Sequence, residues 1–400
     1  MKSFPCLLFC LVPLMISSSN PKDVIEGNNK FAFKLYQKVQ TGSTGSNLIY
    51  SPFSISTAMA MVYAGARGET ASQIKKTMEF QQGEEFHADY QRLLDGLNEG
   101  TEHKIKLNIA NGLWVQRSFK FLDSYFGIVQ SNYHSELKDV DFIDNAKREI
   151  ARREINVWVE QKTNDKIKNL LGPGDLTSLT RLVLVNAIYF YGDWDNPFEK
   201  SASKPYEFNL ADGTKITVPF MNRQDHYKYY EDSKIQAIEI TYKDNKASMV
   251  IFLPAKQIPI TDFEKVFDYQ YYIEVVGSFK DSDVQLAVPK FRSTFKLNLN
   301  SILSEMGMPM AFSDNADFSG MTGKRDLYIS EVIHQAFINV DEKGTEAAAA
   351  TAGIMKITSA PNPAELKIFV ADHPFIFCIK DNSSGTILFM GKVMDPRVPE

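Results

Sequence analysis

The segment that most constrains this chain is an alanine-rich stretch near the C-terminus, Glu342-Lys-Gly-Thr-Glu-Ala-Ala-Ala-Ala-Thr-Ala-Gly353. Its composition favours a helix over residues 346–352. However, a strand-like apolar run precedes the segment, glycines bracket it, and a proline-containing stretch, Ile354–Ala364, follows it. A short surface helix is therefore one interpretation, and an extended strand is the other.

The alternation of side chains along the segment fits a strand. Odd positions from Thr345 to Met355 are neutral and mostly small, whereas both charges, Glu346 and Lys356, fall on the even face. Such a strand could enter an existing sheet without burying a charge or overfilling the interior. A helical preference combined with a strand-compatible pattern predicts a segment with two alternative states.

The N-terminus has the three parts of a secretory signal peptide. Lys2 precedes the apolar run Phe4–Ile16, and small residues Ser17–Ser19 follow it. This arrangement predicts a signal peptide over residues 1–19 and a secreted protein, with a buried N-terminal helix as the alternative. Of the three cysteines only Cys378 lies outside this segment, so we expect it to be a buried apolar residue rather than half of an intramolecular disulfide.

The rest of the chain, residues 20–400, is predicted to form a single α+β domain, because no repeat, low-complexity tract or linker divides it. Helices are predicted early and strands late. Thr70 and Gln73 have the spacing of a capping box at the start of one helix. The predicted elements comprise helices at Phe31–Val39, Ser54–Ala64 and Asn145–Glu160, strands at Leu182–Phe190, Ala247–Leu253 and Leu366–Val370, and a hairpin of Phe375–Ile379 with Thr386–Met390.

Motif searches give no support for an enzyme, a cofactor or a metal site. The chain has no nucleophile elbow, metalloprotease helix, phosphate-binding glycine loop or paired C-x-x-C, and its six histidines lack metal-ligand spacing. A catalytic triad assembled from distant positions is the alternative. The net charge of −5 does not suggest nucleic-acid binding, and no apolar stretch after the leader is long enough to span a membrane.

The chain resembles the serpin family from about Pro21 to Pro396, through motifs that occur in the same order in both. The matching residues are Asn47–Thr70, Leu184–Trp194 with Pro197-Phe198, Pro289-Lys-Phe291, Glu342–Thr351, Phe369–Ile379 and Phe389-Met-Gly-Lys392.

The resemblance implies a serpin fold with three β-sheets, about nine helices and a reactive-centre loop at about 342–366. It also implies a monomeric suicide inhibitor. A serine protease would attack the loop, and the cleaved loop would then insert into the central sheet and trap the acyl-enzyme. The hinge would consist of Gly344, Thr345, Glu346, Ala347, Ala348, Ala349, Ala350 and Thr351. Its small residues favour an inhibitor over the alternative, a non-inhibitory serpin that acts as a carrier or chaperone.

By the same resemblance, the scissile bond lies fourteen residues after the hinge glycine, between Thr358 and Ser359, or one or two residues later. A small β-branched residue at this position suits an elastase-like target. Lys356 or Met355 could instead attract trypsin-like or chymotrypsin-like enzymes.

Two further residue sets match the family. Ser51, Ser54, Asn186 and His334 match a polar cluster beneath the point where the sheet opens, with ordinary buried hydrogen bonding as the alternative role. Glu342 and Lys290 match an ion pair at the top of the loop's strand, which we expect to be a weak surface pair. Trp194 matches a tryptophan below this opening, where packing is the expected role.

Two surface features bear on partners. Residues 84–98, the counterpart of the heparin-binding helix of some serpins, contain four acidic residues and only Arg92 as a cation, so heparin binding is not expected. Asn382-Ser-Ser384 is an N-glycosylation sequon in the predicted hairpin turn.

Overall fold

The computed structural model describes residues 21–43, 45–81, 83, 85–98, 105–345 and 365–397. Within these ranges there are ten α-helices: α1 Pro21–Gly42, α2 Pro52–Gly65, α3 Gly68–Thr77, α4 Phe86–Asn98, α5 Asp123–Tyr133, α6 Asn145–Lys162, α7 Ile260–Val266, α8 Tyr269–Gly277, α9 Asn300–Met306 and α10 Ser319–Thr322. The same ranges contain fifteen strands: β1 Leu48–Tyr50, β2 Ile105–Gln116, β3 Glu136–Val140, β4 Leu182–Asp193, β5 Lys204–Asn209, β6 Lys215–Glu231, β7 Ile235–Thr241, β8 Ala247–Pro254, β9 Lys280–Pro289, β10 Phe291–Asn298, β11 Glu331–Asp341, β12 Gly344–Thr345, β13 Lys367–Val370, β14 Phe375–Asp381 and β15 Ile387–Val393.

Two hydrogen-bonded sheets form the framework of the described residues. The six-stranded sheet has the order β10-β11-β12-β4-β2-β3, and the nine-stranded sheet has the order β1-β15-β14-β8-β7-β6-β9-β13, with β5 paired to β6. The long strand β6 pairs with β5 at one end and with β7 at the other, so two of the three expected sheets are continuous through it. The predicted α+β class is confirmed.

The centre of the six-stranded sheet changes its pairing along its length. Strands β11 and β4 pair directly and in parallel, Glu331–Phe337 with Val183–Tyr189. Above this ladder β12 lies between them and is antiparallel to both, with Thr345 opposite Val340 of β11 and Gly192 of β4. The boundary between β4 and β11 is therefore closed below and occupied by the two residues of β12 above.

Helix α2 is buried between the two sheets, where it contacts β2, β4 and β15. The Ser51 side chain caps it by accepting a hydrogen bond from the Ser54 amide at 3.1 Å, and Pro52 occupies its first turn. All of its residues except Tyr63 are buried, which explains its composition of small and apolar residues.

Helix α6 covers the opposite, outer face of the six-stranded sheet. Alternate residues of β4 contribute to different apolar clusters: Leu184 faces the α2 side, whereas Val185 faces α6. Charged residues of α6 pair along the helix, and Arg152 donates a hydrogen bond of 2.9 Å to Glu149. The α6 residues buried on the sheet are Ala151, Ile155, Trp158 and Val159.

The predicted capping box was wrong. Helix α3 begins at Gly68 with Arg67 at the N-cap position, and no side chain caps it. Thr70 is buried inside the helix, and its hydroxyl accepts a hydrogen bond from the Asp317 amide at 2.9 Å. A tertiary contact thus uses the hydroxyl that the local spacing assigned to the helix start.

The C-terminal hairpin is confirmed, because β14 and β15 pair in antiparallel fashion across the predicted turn. Cys378 of β14 is buried and free, as predicted, and burial raises the pKa of its thiol to about 12. Among the helices of the described ranges, none has the length and apolar character needed to cross a bilayer.

Candidate functional site

The site begins where β12 enters the six-stranded sheet. The Gly344 backbone lies so close to β4 that an added Cβ would be 2.0 Å from the Gly192 carbonyl oxygen. The Thr345 side chain is buried, and its hydroxyl shares a hydrogen bond of 2.8 Å with the Tyr242 hydroxyl. The first two residues of the predicted hinge therefore lie within the sheet, with Thr345 facing the interior.

The remaining residues assigned to the hinge and the reactive bond lie outside the described residues. These are Glu346, Ala347, Ala348, Ala349, Ala350, Thr351, Thr358 and Ser359. Their assignment stays a prediction.

The turn between β11 and β12 is anchored by Glu342. Its carboxylate is 3.2 Å from the Lys290 ammonium and accepts a hydrogen bond of 2.8 Å from Ser203. The residue is only 5% exposed, so the expectation of a surface pair was wrong. Burial opposes ionisation, but hydrogen bonds from its own backbone amide, Ser203 and Lys290 outweigh that effect and lower the pKa of Glu342.

Trp194 holds the other side of the same turn. Its ring stacks on Tyr242 with centroids 4.4 Å apart, and its indole N–H donates to the Asp341 carbonyl at 3.0 Å. Its backbone amide donates to the Lys343 carbonyl at 2.8 Å. Trp194 therefore combines the expected packing role with two hydrogen bonds to the turn.

The buried polar cluster, which comprises Ser51, Ser54, Asn111, Asn186 and His334, lies lower in the sheet. Asn111 of β2 is opposite Asn186 of β4, and Asn186 is opposite His334 of β11. The serines belong to the N-terminus of α2, so the cluster links three strands to the helix beneath them.

Hydrogen bonding determines the tautomer of His334. The Ser51 amide donates to its Nε2 at 3.1 Å, so Nδ1 holds the proton and donates to the Asn186 side-chain oxygen. The Asn186 amide nitrogen then donates to Asn111 and, at 2.5 Å, to the Ser54 hydroxyl. Complete burial lowers the pKa of His334 to about 3, so the ring is neutral at physiological pH.

The structure thus brings together all four residues predicted for this cluster, although their functional role stays a prediction. Sequence reasoning missed Asn111, Tyr242 and Ser203. Asn186 was assigned from the family motif Leu184–Trp194. No comparable local signal marks Tyr242, whose partner Thr345 is 103 positions away in the chain.

Asn382 lies in the turn between β14 and β15. Its side-chain amide nitrogen donates to Asn245 at 2.9 Å and to the Ser248 hydroxyl at 2.8 Å. A glycan on this nitrogen would replace one of its two hydrogens, so modification and this set of contacts are in competition. Glycosylation of Asn382 stays a prediction.

On α4, the Arg92 guanidinium is held by the Asp89 carboxylate and lies 3.1 Å from Glu85. The helix therefore presents its cation already paired with acidic groups. Within the described ranges, no cluster of His, Cys, Asp and Glu side chains could hold a metal ion.

Comparison with known proteins agrees with this architecture. The family described as Serpin (serine protease inhibitor) matches residues 26–396. The human leukocyte elastase inhibitor is 38% identical over 379 residues, which cover 92% of this chain and 98% of that protein.

Two solved structures extend the comparison. Serpin48 of the insect Tenebrio molitor is 30% identical, with a TM-score of 0.84 over 94% of this chain and 99% of its own. Human thyroxine-binding globulin in complex with thyroxine is 30% identical, with a TM-score of 0.85 over 94% of this chain and 100% of its own.

The fold and site define an α+β protein in which the two-residue strand β12 lies between β4 and β11 at the upper end of the six-stranded sheet. The chain belongs to the serpin family, a family described as serine protease inhibitors.

Proposed function

We propose that this chain is a secreted inhibitor of serine-type endopeptidases that acts as a suicide substrate and traps its target as a covalent acyl complex. The observation that supports this most strongly is the position of β12 between β4 and β11. Residues 346–364 connect this strand to β13, which belongs to the other sheet. After a cut in that connection, β12 would be free to lengthen.

The register of β12 specifies where each added residue would lie. Thr345 is opposite Val340 and Gly192, and each antiparallel step moves one residue back along both neighbours. If this register continues, Thr351 lies opposite His334 on one side and Asn186 on the other. The inserted strand would therefore separate the two residues that now hydrogen-bond across the boundary.

If the register continues, both faces of the hinge would need small residues. Thr345 faces the interior, so Ala347, Ala349 and Thr351 would follow it towards α2. The even residues would face α6. Ala348 would lie between Tyr189 and Phe337, which belong to the cluster that packs against α6. A bulky or charged side chain on either face would have to be accommodated in a packed interior.

Insertion would also improve the strand pairing. The parallel ladder of seven residue pairs between β4 and β11 would be lost. Two antiparallel ladders, one on each side of the new strand, would replace it. Because antiparallel pairing is slightly more stable per residue and its number of pairs roughly doubles, the inserted form should be the more stable one.

The chemistry begins with attack of the target's catalytic serine on the Thr358 carbonyl. The Thr358–Ser359 bond breaks, the new amine leaves with Ser359, and Thr358 stays bound to the enzyme as an ester. Insertion then carries the attached protease across the molecule and distorts its active site, so the ester is not hydrolysed. Thr358 and the relative's name, leukocyte elastase inhibitor, favour an elastase-like target.

Incubation with a panel of elastase-like, trypsin-like and chymotrypsin-like proteases tests this proposal. We expect an SDS-stable complex with at least one elastase-like enzyme and a released C-terminal peptide that starts at Ser359. Cleavage by every protease without any stable complex would contradict inhibition and favour the alternative of a non-inhibitory carrier, like the thyroxine-binding relative.

Thr345→Arg should convert the inhibitor into a substrate, because it would place a charge on the interior face of the strand. The matched control is Glu346→Arg. If the register continues, this position would lie between the half-buried Tyr191 and Asn339 on the face opposite Thr345, and its native residue is already charged. The yield of covalent complex on gels measures both variants. An unchanged yield with Thr345→Arg would refute the insertion step.

Secretion is proposed from residues 1–19, which lie outside the described residues. Expression of the full chain in secretory cells should release a protein whose N-terminus is near Asn20.

Asn382→Gln should lower the mass of the secreted protein if this residue is glycosylated, and an unchanged mass would refute that assignment.

A further inference from the structure

A groove of about 660 Å³ lies on the outer face of the six-stranded sheet, between α6, strand β2 and the edge strand β3. We call it the outer groove. Its lining includes Trp114 of β2, Lys138 of β3, and Ile150, Val157 and Trp158 of α6. None of these residues belongs to β12, to the buried polar cluster or to the boundary between β4 and β11.

Two tryptophans form the floor of the outer groove. Trp114 and Trp158 are buried and meet edge to face, with ring centroids 6.1 Å apart and planes at 77°. Gly112 of β2 makes this arrangement possible, because an added Cβ would be 2.9 Å from the Trp158 ring. The floor is therefore fixed by close packing before any ligand arrives.

One wall is an apolar strip on α6. Ile150 and Val157 are each 50% exposed and are seven residues apart, so they lie on one side of the helix about 10 Å from each other. Half-exposed aliphatic side chains next to a buried aromatic floor provide an apolar surface that a ligand could cover.

The outer groove has two cations, Lys138 and Arg153, among its four polar lining residues. The Lys138 ammonium is 5.0 Å from the Trp114 ring centroid and 3.1 Å from the Glu136 carboxylate. Arg153 donates through Nε to the Glu149 carbonyl at 3.3 Å. No carboxylate oxygen of the described ranges lies within 4.0 Å of the Arg153 guanidinium, and the Glu149 carboxylate, which pairs with Arg152, interacts with the Arg153 charge from further away. Glu154 and Gln161 also line the groove, so the lining itself has two cations and one carboxylate on a chain whose net charge is −5.

We infer that the outer groove binds an amphipathic organic anion. The apolar body would cover the tryptophan floor and the strip of Ile150 and Val157, and the acid group would pair with Arg153 beside Lys138. The volume falls within the range of about 300–1,000 Å³ that is usual for small-molecule sites, and the lining combines aromatic residues with a few polar groups. This inference does not depend on protease inhibition.

Tryptophan fluorescence of the intact full chain tests the inference, since two of its three tryptophans form the floor. Laurate and dodecyltrimethylammonium serve as probes below their micellar concentrations, because they share an apolar chain and differ in the sign of the head group. Laurate should change the emission saturably with one site per chain, and the cation should bind at least about tenfold more weakly. No saturable change, or equal binding of the two probes, would overturn the inference.

Variants locate the site. Val157→Asp should weaken laurate binding at least about tenfold, and Arg153→Gln, an exposed substitution that preserves the fold, about fivefold. The controls are Val266→Asp, at a valine of α7 that is 56% exposed, and Lys265→Gln beside it. Controls that weaken binding as much as the groove variants would show non-specific association and refute the site.

Discussion

At the scale of single residues, the central feature is a histidine that must remain neutral. His334 accepts a hydrogen bond at Nε2 from the Ser51 amide, so a second ring proton would face a donor in place of an acceptor. Burial disfavours the charged ring as well. Protonation and the native hydrogen-bond network are therefore incompatible.

The pKa of His334 predicts acid sensitivity. The folded-state pKa of about 3 lies below the ordinary value of 6.5, so the unfolded chain binds the proton first. The contribution of neutral His334 to the free energy of unfolding is complete above pH 6.5. It declines as the pH falls towards 3, by at most about 1.4 kcal/mol per pH unit. Denaturant unfolding at pH 7.5 and 5 measures the change.

Burial also lowers the pKa of His87, to about 4, so this histidine contributes to acid sensitivity as well. Because His87 is present in both the native chain and His334→Gln, a comparison of the two isolates the contribution of His334. The variant should be less stable at pH 7.5 and should lose less stability between the two pH values than the native chain. Equal losses in both proteins would contradict the role assigned to His334.

Glu342→Gln should destabilise the fold by about 1–2 kcal/mol at pH 7, because the Lys290 ammonium loses its charged partner while the residue keeps its shape. The lowered pKa of Glu342 means that this contribution is present above the ordinary value of 4.5 and declines as the pH falls below it. Denaturant unfolding should therefore show a smaller difference in the free energy of unfolding between the native chain and Glu342→Gln at pH 4 than at pH 7.

Asp262→Asn is the control for Glu342→Gln, since Asp262 and Lys265 form an exposed ion pair on α7. We expect a change within about 0.5 kcal/mol there. A comparable loss in both variants would show that Glu342 contributes no more than an ordinary surface charge.

Sequence reasoning found part of this site and missed the rest for a physical reason. Asn186 and His334 were assigned from the resemblance to the serpin family. The partner Asn111 depends on the register of β2 against β4, which long-range pairing determines. The pairing of Glu342 with Lys290 was predicted correctly. The burial of Glu342 was not predicted, because its hydrogen-bond partner Ser203 is distant in sequence.

At the scale of elements, the decisive feature is the two-residue strand β12. The residues that follow it, 346–352, have a helical preference in their composition, whereas β4 and β11 hold β12 itself in extended pairing. Longer elements such as α6 and the C-terminal hairpin were predictable because their periodicity extends over many residues. A strand of two residues is too short to show a repeating side-chain pattern. Only the alternation of small and charged residues in the segment after it indicated a strand there.

Gly344→Ala tests how closely β12 is held. The new Cβ would collide with backbone atoms of Gly192 and Asp193, so β12 should be displaced and the unfolding midpoint lowered, with a loss of about 1–3 kcal/mol. Amide hydrogen exchange of Thr345 should accelerate, since displacement breaks its pairing with Val340.

Gly96→Ala is the matched control for Gly344→Ala. This glycine lies in α4, where an added Cβ meets no atom within 4 Å, so the substitution should be neutral or stabilising by about 0.5–1 kcal/mol. If Gly344→Ala behaved like Gly96→Ala, β12 would not be constrained as the structure indicates.

At the scale of the whole molecule, the architecture contains a sheet that is paired less well at its centre than it could be. The parallel contact between β4 and β11 lies directly below the antiparallel strand β12, which precedes the segment 346–364 that we propose to be reactive. The uncut chain would then be held in its present form by the covalent connection from β12 to β13, whose two ends lie in different sheets.

The measurement that addresses this claim most directly is the thermal unfolding midpoint of the intact chain and of the same chain nicked once within residues 346–364. We expect the nicked chain to melt at least about 10 °C higher, because its freed segment becomes a strand between β4 and β11. An equal or lower midpoint after cleavage would show that no strand is added, and would contradict the proposed mechanism.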